Sequence, residues 1–470
     1  MSDRLWAHQR EALRFIDTTL VSNPKTGVGI WAGMGSGKSR IAIEALRKYG
    51  LKRVLILAPK SVVANVWEEQ FSAWAPEYTC LCLGSGTIAS RLKRIQQHED
   101  TERLVVVLNY EAVYRPQSIR VLGATRWDAL IMDESHRLAR PGGKTSRTVR
   151  KLAQDVPFRL ALTGTPISGS TGPLAIWAQA AALDPRIYQR TYTEFRSAYT
   201  EPCRWGMHDG ASQPRGGGPP QPWRYRNLDD LQQRMASFSY RVETDQVLDL
   251  PPETDLVRTT VLEPKARKVY RELEEELIAD IEGGVVVASN ALTRLLRLQQ
   301  LTGGSLKTED GEYVEVSTAK RKLLEDVLED YPLEKPLVVV CRFHRDLDAV
   351  NRVCHNAGRQ CFELSGRKDE LRKWKSLCAS HTGRPVLAVQ IQSGGIGISL
   401  VEADTCLFYS PDFSLTGYDQ MRARIRRPGQ KHPVTFLHLT VQGTIDQDVY
   451  KALQARADLV EATLEGLLRR

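Results

Sequence analysis

Short runs of Val, Ile and Leu alternate with amphipathic stretches through the first third of the chain, the rhythm that specifies a parallel sheet with helices between its strands. The runs predict strands at Val28 to Ala32, Arg53 to Ala58, Leu104 to Leu108, Ala129 to Met132 and Arg159 to Leu162. Helical spacing fills Lys38 to Tyr49 and Val63 to Trp74. The strands are apolar at nearly every position, as burial on both faces requires. Between Thr200 and Arg226 ten of 27 residues are Gly or Pro, which predicts a long surface loop. Charged helical segments follow, Lys265 to Ile281 and Ala291 to Leu301. The α/β rhythm then resumes with Pro336 to Cys341, Cys361 to Leu364, Val386 to Ile391, Thr405 to Tyr409 and Val434 to Leu439.

The chain closes on one predicted helix. Thr444 and Gln447 have the spacing of a capping box, and Ile445, Val449, Leu453, Val460, Leu464 and Leu468 form its apolar stripe. This pattern predicts an α/β protein of two domains. Residues 1–248 form the first, with a helical and loop insertion over 184–248. Residues 249–470 form the second, with a helical insertion over 258–305 and a terminal helix over 444–468.

Composition narrows the function classes only slightly. At 470 residues with 42% hydrophobic content the chain can bury a core in each domain, which excludes a largely disordered protein. No apolar run approaches the ~18 residues that span a bilayer, and the N-terminus lacks a signal-peptide core, so a cytoplasmic protein without membrane contact is expected. The eight cysteines show no zinc spacing; Cys80 and Cys82 are the one close pair. A net charge of +9 permits a polyanionic partner without requiring one.

The chemistry concentrates in a few segments. Ala32-Gly33-Met34-Gly35-Ser36-Gly37-Lys38-Ser39 follows a predicted strand and opens a helix. Its glycines would let backbone N–H groups wrap phosphates, Lys38 would reach the β/γ oxygens, and Ser39 would offer a hydroxyl to Mg²⁺. The first position is Ala32 where the strict pattern has Gly. Ninety-five residues beyond Lys38, a buried strand delivers Asp133 and Glu134 to its C-terminal tip. There Asp133 would hold Mg²⁺, partly through water, and Glu134 would orient or deprotonate an attacking water. Thr163-Gly164-Thr165-Pro166 ends the next strand and is, by itself, as well explained by a structural turn.

In the second domain, residues 420–430 carry four arginines in six positions. Arg424 and Arg427 stand three apart, which on a helix places them on one face and suits insertion of two guanidiniums at a γ-phosphate. Ser393-Gly394-Gly395-Ile396-Gly397 follows a strand and allows close backbone approach to a ligand, without the Lys of a second phosphate loop. Trp67, Trp74, Trp127 and Trp177 are equally readable as core residues and as base-stacking platforms.

Taken in order, these segments resemble the Swi/Snf-type (sucrose-non-fermenting) ATPases of helicase superfamily two. Leu5-Trp6-Ala7-His8-Gln9 is similar to the family's adenine-reading glutamine motif. Leu57-Ala58-Pro59-Lys60-Ser61 followed by Trp67 is similar to its motif Ia, and Asp133 to His136 to its Asp-Glu-x-His box. Leu162 to Pro166, Gln420 to Gln430 and Gly443-Thr444-Ile445-Asp446 resemble its later motifs. Glu243 stands where the family's linking segment usually has Arg or Lys, and Pro428 replaces a common Ile. Trp205 to Ser212 faintly resembles the annealing-helicase branch.

The resemblance implies two RecA-like lobes, each a mostly parallel sheet with helices on both faces, with ATP between them and DNA across the top. It implies an ATP-binding set of Gln9, Gly33, Met34, Gly35, Ser36, Gly37, Lys38, Ser39 and Gly397. The implied catalytic set is Lys38, Asp133, Glu134, Arg424 and Arg427, with Mg²⁺ at Ser39 and Asp133. DNA contacts are implied at Lys60, Ser61, Thr163, Thr165 and Ser393. The implied activity is ATP hydrolysis coupled to tracking on double-stranded or branched DNA, without sequence readout, in DNA repair or replication. The alternative enzyme is a strand-separating helicase on single-stranded DNA or RNA; an ATP-gated scaffold is a third reading. The absence of appended domains leads to the expectation of a bacterial or phage-infected cell, and of a nuclease, replication or recombination protein acting in trans.

Overall fold

A computed structural model of the chain describes residues 5–63, 66–167, 169–188, 191–202, 223–282, 288–308, 311–380, 385–390, 398–411, 415–451 and 453–454. The chain divides into two compact units, with the change between Asp249 and Leu250.

The first unit is built on Val28–Ala32 (β1), Arg53–Ala58 (β2), Thr79–Cys82 (β3), Leu104–Asn109 (β4), Ala129–Asp133 (β5) and Phe158–Leu162 (β6). A short antiparallel hairpin of Thr200–Pro202 (β7) and Trp223–Tyr225 (β8) precedes Ser239–Val242 (β9). Seven of these strands form one parallel sheet in the order β3-β4-β2-β5-β6-β1-β9. The period of two along each strand splits the apolar residues between two cores. Leu55, Leu57, Leu130 and Met132 face one helical layer, while Val54, Ile56, Ala129 and Ile131 face the other. All are fully buried, and each such Leu or Ile contributes about 1.5–3 kcal/mol. Trp67, Trp127 and Trp177 lie in these cores, which takes them out of contention as stacking platforms.

The second unit is built on Glu253–Thr260 (β10), a hairpin of Ser305–Lys307 (β11) and Tyr313–Glu315 (β12), and Leu337–Cys341 (β13). Gln360–Leu364 (β14), Pro385–Gln390 (β15), Thr405–Phe408 (β16) and Val434–Val441 (β17) complete it. Six of these strands form a second parallel sheet in the order β10-β17-β16-β13-β15-β14. Both units are therefore RecA-like α/β lobes with helices against a parallel sheet.

Several expectations change. β9 is a strand of the first sheet, although 184–248 reads as a helical and loop insertion. Its Tyr240 and Arg241 are only partly buried because it is an edge strand, so it lacks the apolar run of its neighbours. β3 escapes the pattern through its short length at the opposite edge. β10 replaces the first residues of the expected insertion over 258–305, and helices there run Pro264–Glu282 and Ala288–Gly303. Nearly every residue of β10 is exposed, so no hydrophobic pattern announces it.

The capping box at Thr444 does not form as expected. The Thr444 hydroxyl donates to the Val441 carbonyl at 2.8 Å, and Gln447 accepts from the Gly443 N–H at 3.0 Å. The helix begins at residue 445; Val460, Leu464 and Leu468 lie outside the described residues, as do the loop over 203–222 and the glycine run with Ser393 and Gly397. No helix among the described residues is long and apolar enough to cross a membrane.

Candidate active site

The strand order makes β5, β6 and β1 neighbours, so the segments leaving their C-terminal ends must converge. After β1 the chain turns through Gly33 to Gly37 and enters the helix Lys38–Lys48. Gly35 and Gly37 have φ of 78° and 80°, the left-handed region that an L side chain rarely adopts. Gly37 is doubly constrained, because a Cβ there would lie 2.4 Å from Gln9 Nε2. A Cβ at Gly33 would lie 2.0 Å from Thr244 Oγ1 and 2.7 Å from the Thr244 backbone nitrogen.

The loop is braced from both ends of the lobe's sequence. Ser36's carbonyl accepts from His8 Nε2 at 2.8 Å and from Gln9 Nε2 at 3.3 Å, and Gly33's N–H donates to the Val242 carbonyl at 2.9 Å. The Thr244 hydroxyl donates to the Met34 carbonyl at 3.0 Å. Lys38 Nζ lies across the loop, donating to the carbonyls of Ala32 at 2.9 Å and Gly33 at 3.2 Å. Gln9, expected to read adenine, is buried, with its amide spent on Ser36 and on the Trp6 N–H at 2.9 Å. Ser39 follows Lys38 in the first turn of the helix. Loop amides, the helix's positive end and an ammonium together make an anion site suited to a polyphosphate.

At the tip of β5, Asp133 is buried, and burial together with the charge of Glu134 pushes its pKa up to about 7, against the opposing pull of Lys38 and Trp67. Trp67 Nε1 donates to Asp133 Oδ2 at 3.1 Å, the Glu134 N–H donates to Oδ1 at 3.0 Å, and the Tyr110 hydroxyl donates to the Asp133 carbonyl at 2.8 Å. A buried carboxylate beside a second acid is an oxygen donor set that a divalent cation would satisfy. Glu134 takes a left-handed backbone, φ 50° and ψ 52°, one of two non-glycine residues among those described with positive φ. Such a conformation persists only where the surroundings impose it.

Those surroundings are Thr163 and His136. Thr163, the residue after β6, is fully buried; its hydroxyl donates to Glu134 Oε2 at 3.4 Å and accepts from the Thr165 N–H at 3.1 Å. His136 Nδ1 lies 3.1 Å from Thr163 Oγ1 and 3.3 Å from Glu134 Oε2. Ser135 donates to Gln179 at 2.8 Å, and Gln179 donates on to the Pro166 carbonyl at 2.7 Å, which ties the two motifs a second time. The family resemblance implies that Thr163 touches DNA. Its burial against Glu134 places it in the acid cluster instead, and the Thr165 N–H closes on it. Lys60 is exposed at the start of the short helix Lys60–Val63, which also carries Ser61.

In the second unit the expected arginine face is corrected. The helix Leu415–Ile425 ends before Arg427, which therefore does not share a helical face with Arg424. Gly429, at φ 103°, turns the chain just beyond. Arg427 Nη1 donates to the Ile398 carbonyl at 3.0 Å, and the Arg424 carbonyl accepts from the Leu400 N–H at 2.9 Å, so both attach to the segment that follows 391–397. The other two arginines are structural. Arg422 stacks 3.9 Å over Phe436 and pairs with Glu253 at 3.0 Å and with Asp255, while Arg426 donates to the Pro251 carbonyl at 2.9 Å. Gln430 is buried and caps the carbonyls of Ala403 and Ile425. Glu243 pairs with Arg241 two residues earlier, which returns a basic group to the linking segment.

Sequence reasoning missed His8, Trp67, Tyr110, Gln179 and Thr244 as supports of this site. Apart from the places of Trp67 in motif Ia and His8 in the glutamine motif, these supports carry no local signal of their role, because each acts through a contact distant in sequence.

Comparison with known proteins gives the family. The SNF2-related domain matches residues 8–303. The chain is 26% identical over 462 residues to putative protein p41 of Acyrthosiphon pisum secondary endosymbiont phage 1, covering 94% of this chain and 95% of that one. It is 25% identical to the human SWI/SNF-related matrix-associated actin-dependent regulator of chromatin subfamily A member 1 (94% of this chain, 42% of that protein). It is 23% identical to the human DNA repair and recombination protein RAD54B (97% and 54%). The chain thus spans about half the length of these human relatives. Among solved structures, a Sulfolobus solfataricus SWI2/SNF2 ATPase core in complex with dsDNA aligns over 98% of this chain and 92% of its own, with TM-score 0.44 and 19% identity. With the phosphate loop, the acidic box and two parallel-sheet lobes in place, and the domain matched over more than half its length, the chain belongs to the SNF2-related family of helicase-like ATPases.

Proposed function

We propose that the protein is an ATP-driven motor that hydrolyses ATP to ADP and phosphate while tracking on double-stranded or branched DNA, remodelling DNA or DNA–protein complexes. The observation that carries the hydrolytic part is the convergence of Lys38, Asp133, Glu134 and Thr163 at three adjacent strand ends of the first unit. Lys38 swings from the loop carbonyls to the β/γ oxygens as the loop amides take the phosphates. Glu134, aimed by Thr163 and His136, orients the water that attacks the γ-phosphorus and receives its proton. Asp133 and Ser39 are the residues that would hold Mg²⁺, which when bound neutralises the phosphate charge. Arg424 and Arg427 are assigned to the charge that develops on the transferred phosphoryl group.

Duplex DNA as the track is supported by the names of the relatives, which speak of chromatin, DNA repair and recombination. Exposed Lys60 is proposed as a phosphate contact, and Ser61 and Ser393 remain candidates on the same reading. The chain's match to nearly all of a phage protein supports a working environment in a bacterial or phage-infected cell.

The test is ATPase rate without nucleic acid and with single-stranded, duplex and forked DNA and RNA, followed by triplex displacement and forked-duplex unwinding. Duplex stimulation and ATP-dependent triplex displacement with little unwinding are expected. Lys38→Ala should lose nucleotide binding, and Glu134→Gln should bind and not turn over. Robust unwinding without triplex displacement would hand the assignment to a strand-separating helicase. Equal turnover by wild type and Glu134→Gln would remove the site itself.

A further inference from the structure

The 20 residues from Ser135 to Gln154 contain six Lys or Arg and no Asp or Glu, against a net excess of +9 for all 470 residues. Two of the six have partners. Arg137 pairs with Glu111 at 3.1 Å, and Arg150 stacks 4.7 Å from the Trp177 ring centroid while donating to the Pro141 carbonyl at 2.9 Å. The other four, Arg140, Lys144, Arg147 and Lys151, are exposed and make no ion pair among the described residues.

The helix Lys144–Ala153 buries Ser146, Val149 and Ala153. Lys144, Arg147 and Lys151, at i, i+3 and i+7, therefore line the opposite face over about 10 Å. This charge is uncompensated in two ways that a merely solvated helix avoids. The one acid at pairing distance along the chain, Asp155, lies four residues past Lys151 in the turn beyond the helix and makes no ion pair with it among the described residues, and the helix opens on a lysine with no acid in its first turn, where the backbone dipole favours anions. Like charges at this spacing repel, and Arg147's charge also helps to lower the pKa of Arg150, after burial. None of the exposed aromatic or large aliphatic side chains of the described residues falls between 135 and 154, so the face has no platform for stacking single-stranded bases. The helix descends from the tip of β5 to the start of β6, so its row of charge leads away from the strand tips that carry the nucleotide site.

We propose that Arg140, Lys144, Arg147 and Lys151 form an additional binding surface for the phosphate backbone of duplex nucleic acid, on the helical layer of the first unit. The surface reads no base edges and holds a duplex segment by charge alone. It rests on the motor reading only in the choice of duplex DNA as the polyanion.

The test compares wild type with the triple variant Lys144→Gln, Arg147→Gln, Lys151→Gln, and with the charge-preserving triple Lys144→Arg, Arg147→Lys, Lys151→Arg. Binding of a random-sequence duplex is followed across a salt series, with DNA-free ATPase and thermal unfolding as controls. Removing one cation that neutralises a phosphate flattens the slope of log K against log salt by about 0.9, so the neutral triple should flatten it by roughly two to three and bind about tenfold or more weakly at moderate salt. DNA-free ATPase should be unchanged, and the charge-preserving triple should keep the wild-type slope. An unchanged slope in the neutral triple overturns the surface, as does a loss confined to single-stranded DNA or to polyglutamate. Wild type that binds duplex with the expected slope difference but never hydrolyses ATP overturns the motor reading and leaves the surface standing. Wild type that binds no duplex overturns both.

Discussion

Thr163→Val separates two roles that the same residue could serve. Valine keeps the shape of threonine, so the fully buried site stays filled and packing changes little. What disappears is one hydroxyl that accepts from the Thr165 N–H at 3.1 Å, lies 3.1 Å from His136 Nδ1 and donates to Glu134 Oε2 at 3.4 Å. Leaving the Thr165 N–H without its acceptor should lower stability by ~1–3 kcal/mol. The catalytic loss is smaller per bond, because the bond to Glu134 is long and His136 still reaches the same oxygen at 3.3 Å. An orientation loss of ~1.4 kcal/mol in the transition state corresponds to about a tenfold fall in kcat. The assay pairs steady-state ATPase with nucleotide-analogue binding, duplex binding and urea unfolding. Expected are a lower kcat, nearly unchanged analogue and duplex affinities, and a lower unfolding midpoint. Unchanged kcat with weakened duplex binding would refute the positioning argument and return Thr163 to the DNA surface.

Three further outcomes follow from individual side chains. Gly33→Ala drives a Cβ to 2.7 Å from the Thr244 backbone nitrogen, so the loop and the 242–244 segment must separate, at ~1–3 kcal/mol of stability and with loss of nucleotide affinity; an unaltered melting temperature and affinity would refute it. Arg427→Ala should cut kcat on the ~10³–10⁵ scale of an arginine finger while sparing analogue binding, and loss of duplex affinity with intact basal ATPase would mark it as a DNA contact instead. Glu263 accepts from the Ser317 hydroxyl at 2.7 Å and from the Thr318 N–H and hydroxyl at 2.9 and 2.6 Å, which against the opposing effect of burial brings its pKa down from 4.5 to about 2. Because the folded value is the lower one, its contribution is present above pH ~4.5 and fades as pH falls toward 2, so Glu263→Gln should destabilise at neutral pH and flatten the acid limb of a stability–pH curve; parallel curves for variant and wild type would refute this.

The fold was legible where burial on both faces left its mark. β1 and β2 match their apolar runs at both ends, and β4, β5 and β6 differ by one residue, because a strand in the middle of a parallel sheet can carry few polar side chains. The edges were illegible for the converse reason. β3, β9 and β10 each face solvent or a neighbour on one side only, so Thr79, Arg241 and nearly all of β10 can be polar without cost. The same limit explains the arginine motif. Spacing suggests a continued helix through Arg427, but the chain leaves the helix at Ile425, and which arginines are consumed by Glu253, Asp255 and Pro251 depends on β10, the strand with no hydrophobic signature.

The candidate site divides along a similar line. Lys38, Asp133 and Glu134 are recognisable because their chemistry depends on local geometry: a glycine turn that only a few residue types can make, and a carboxylate pair at the end of a buried strand. Their supports are not local. The phosphate loop is braced by His8 and Gln9 from about 30 residues upstream and by Val242 and Thr244 from more than 200 downstream, and these meet only because β9 joins the sheet beside β1. Asp133 is held by Trp67, 66 residues away, on a helix that begins a few residues beyond Lys60. That hydrogen bond gives the acid an indole donor from the segment that also carries the leading DNA-contact candidate.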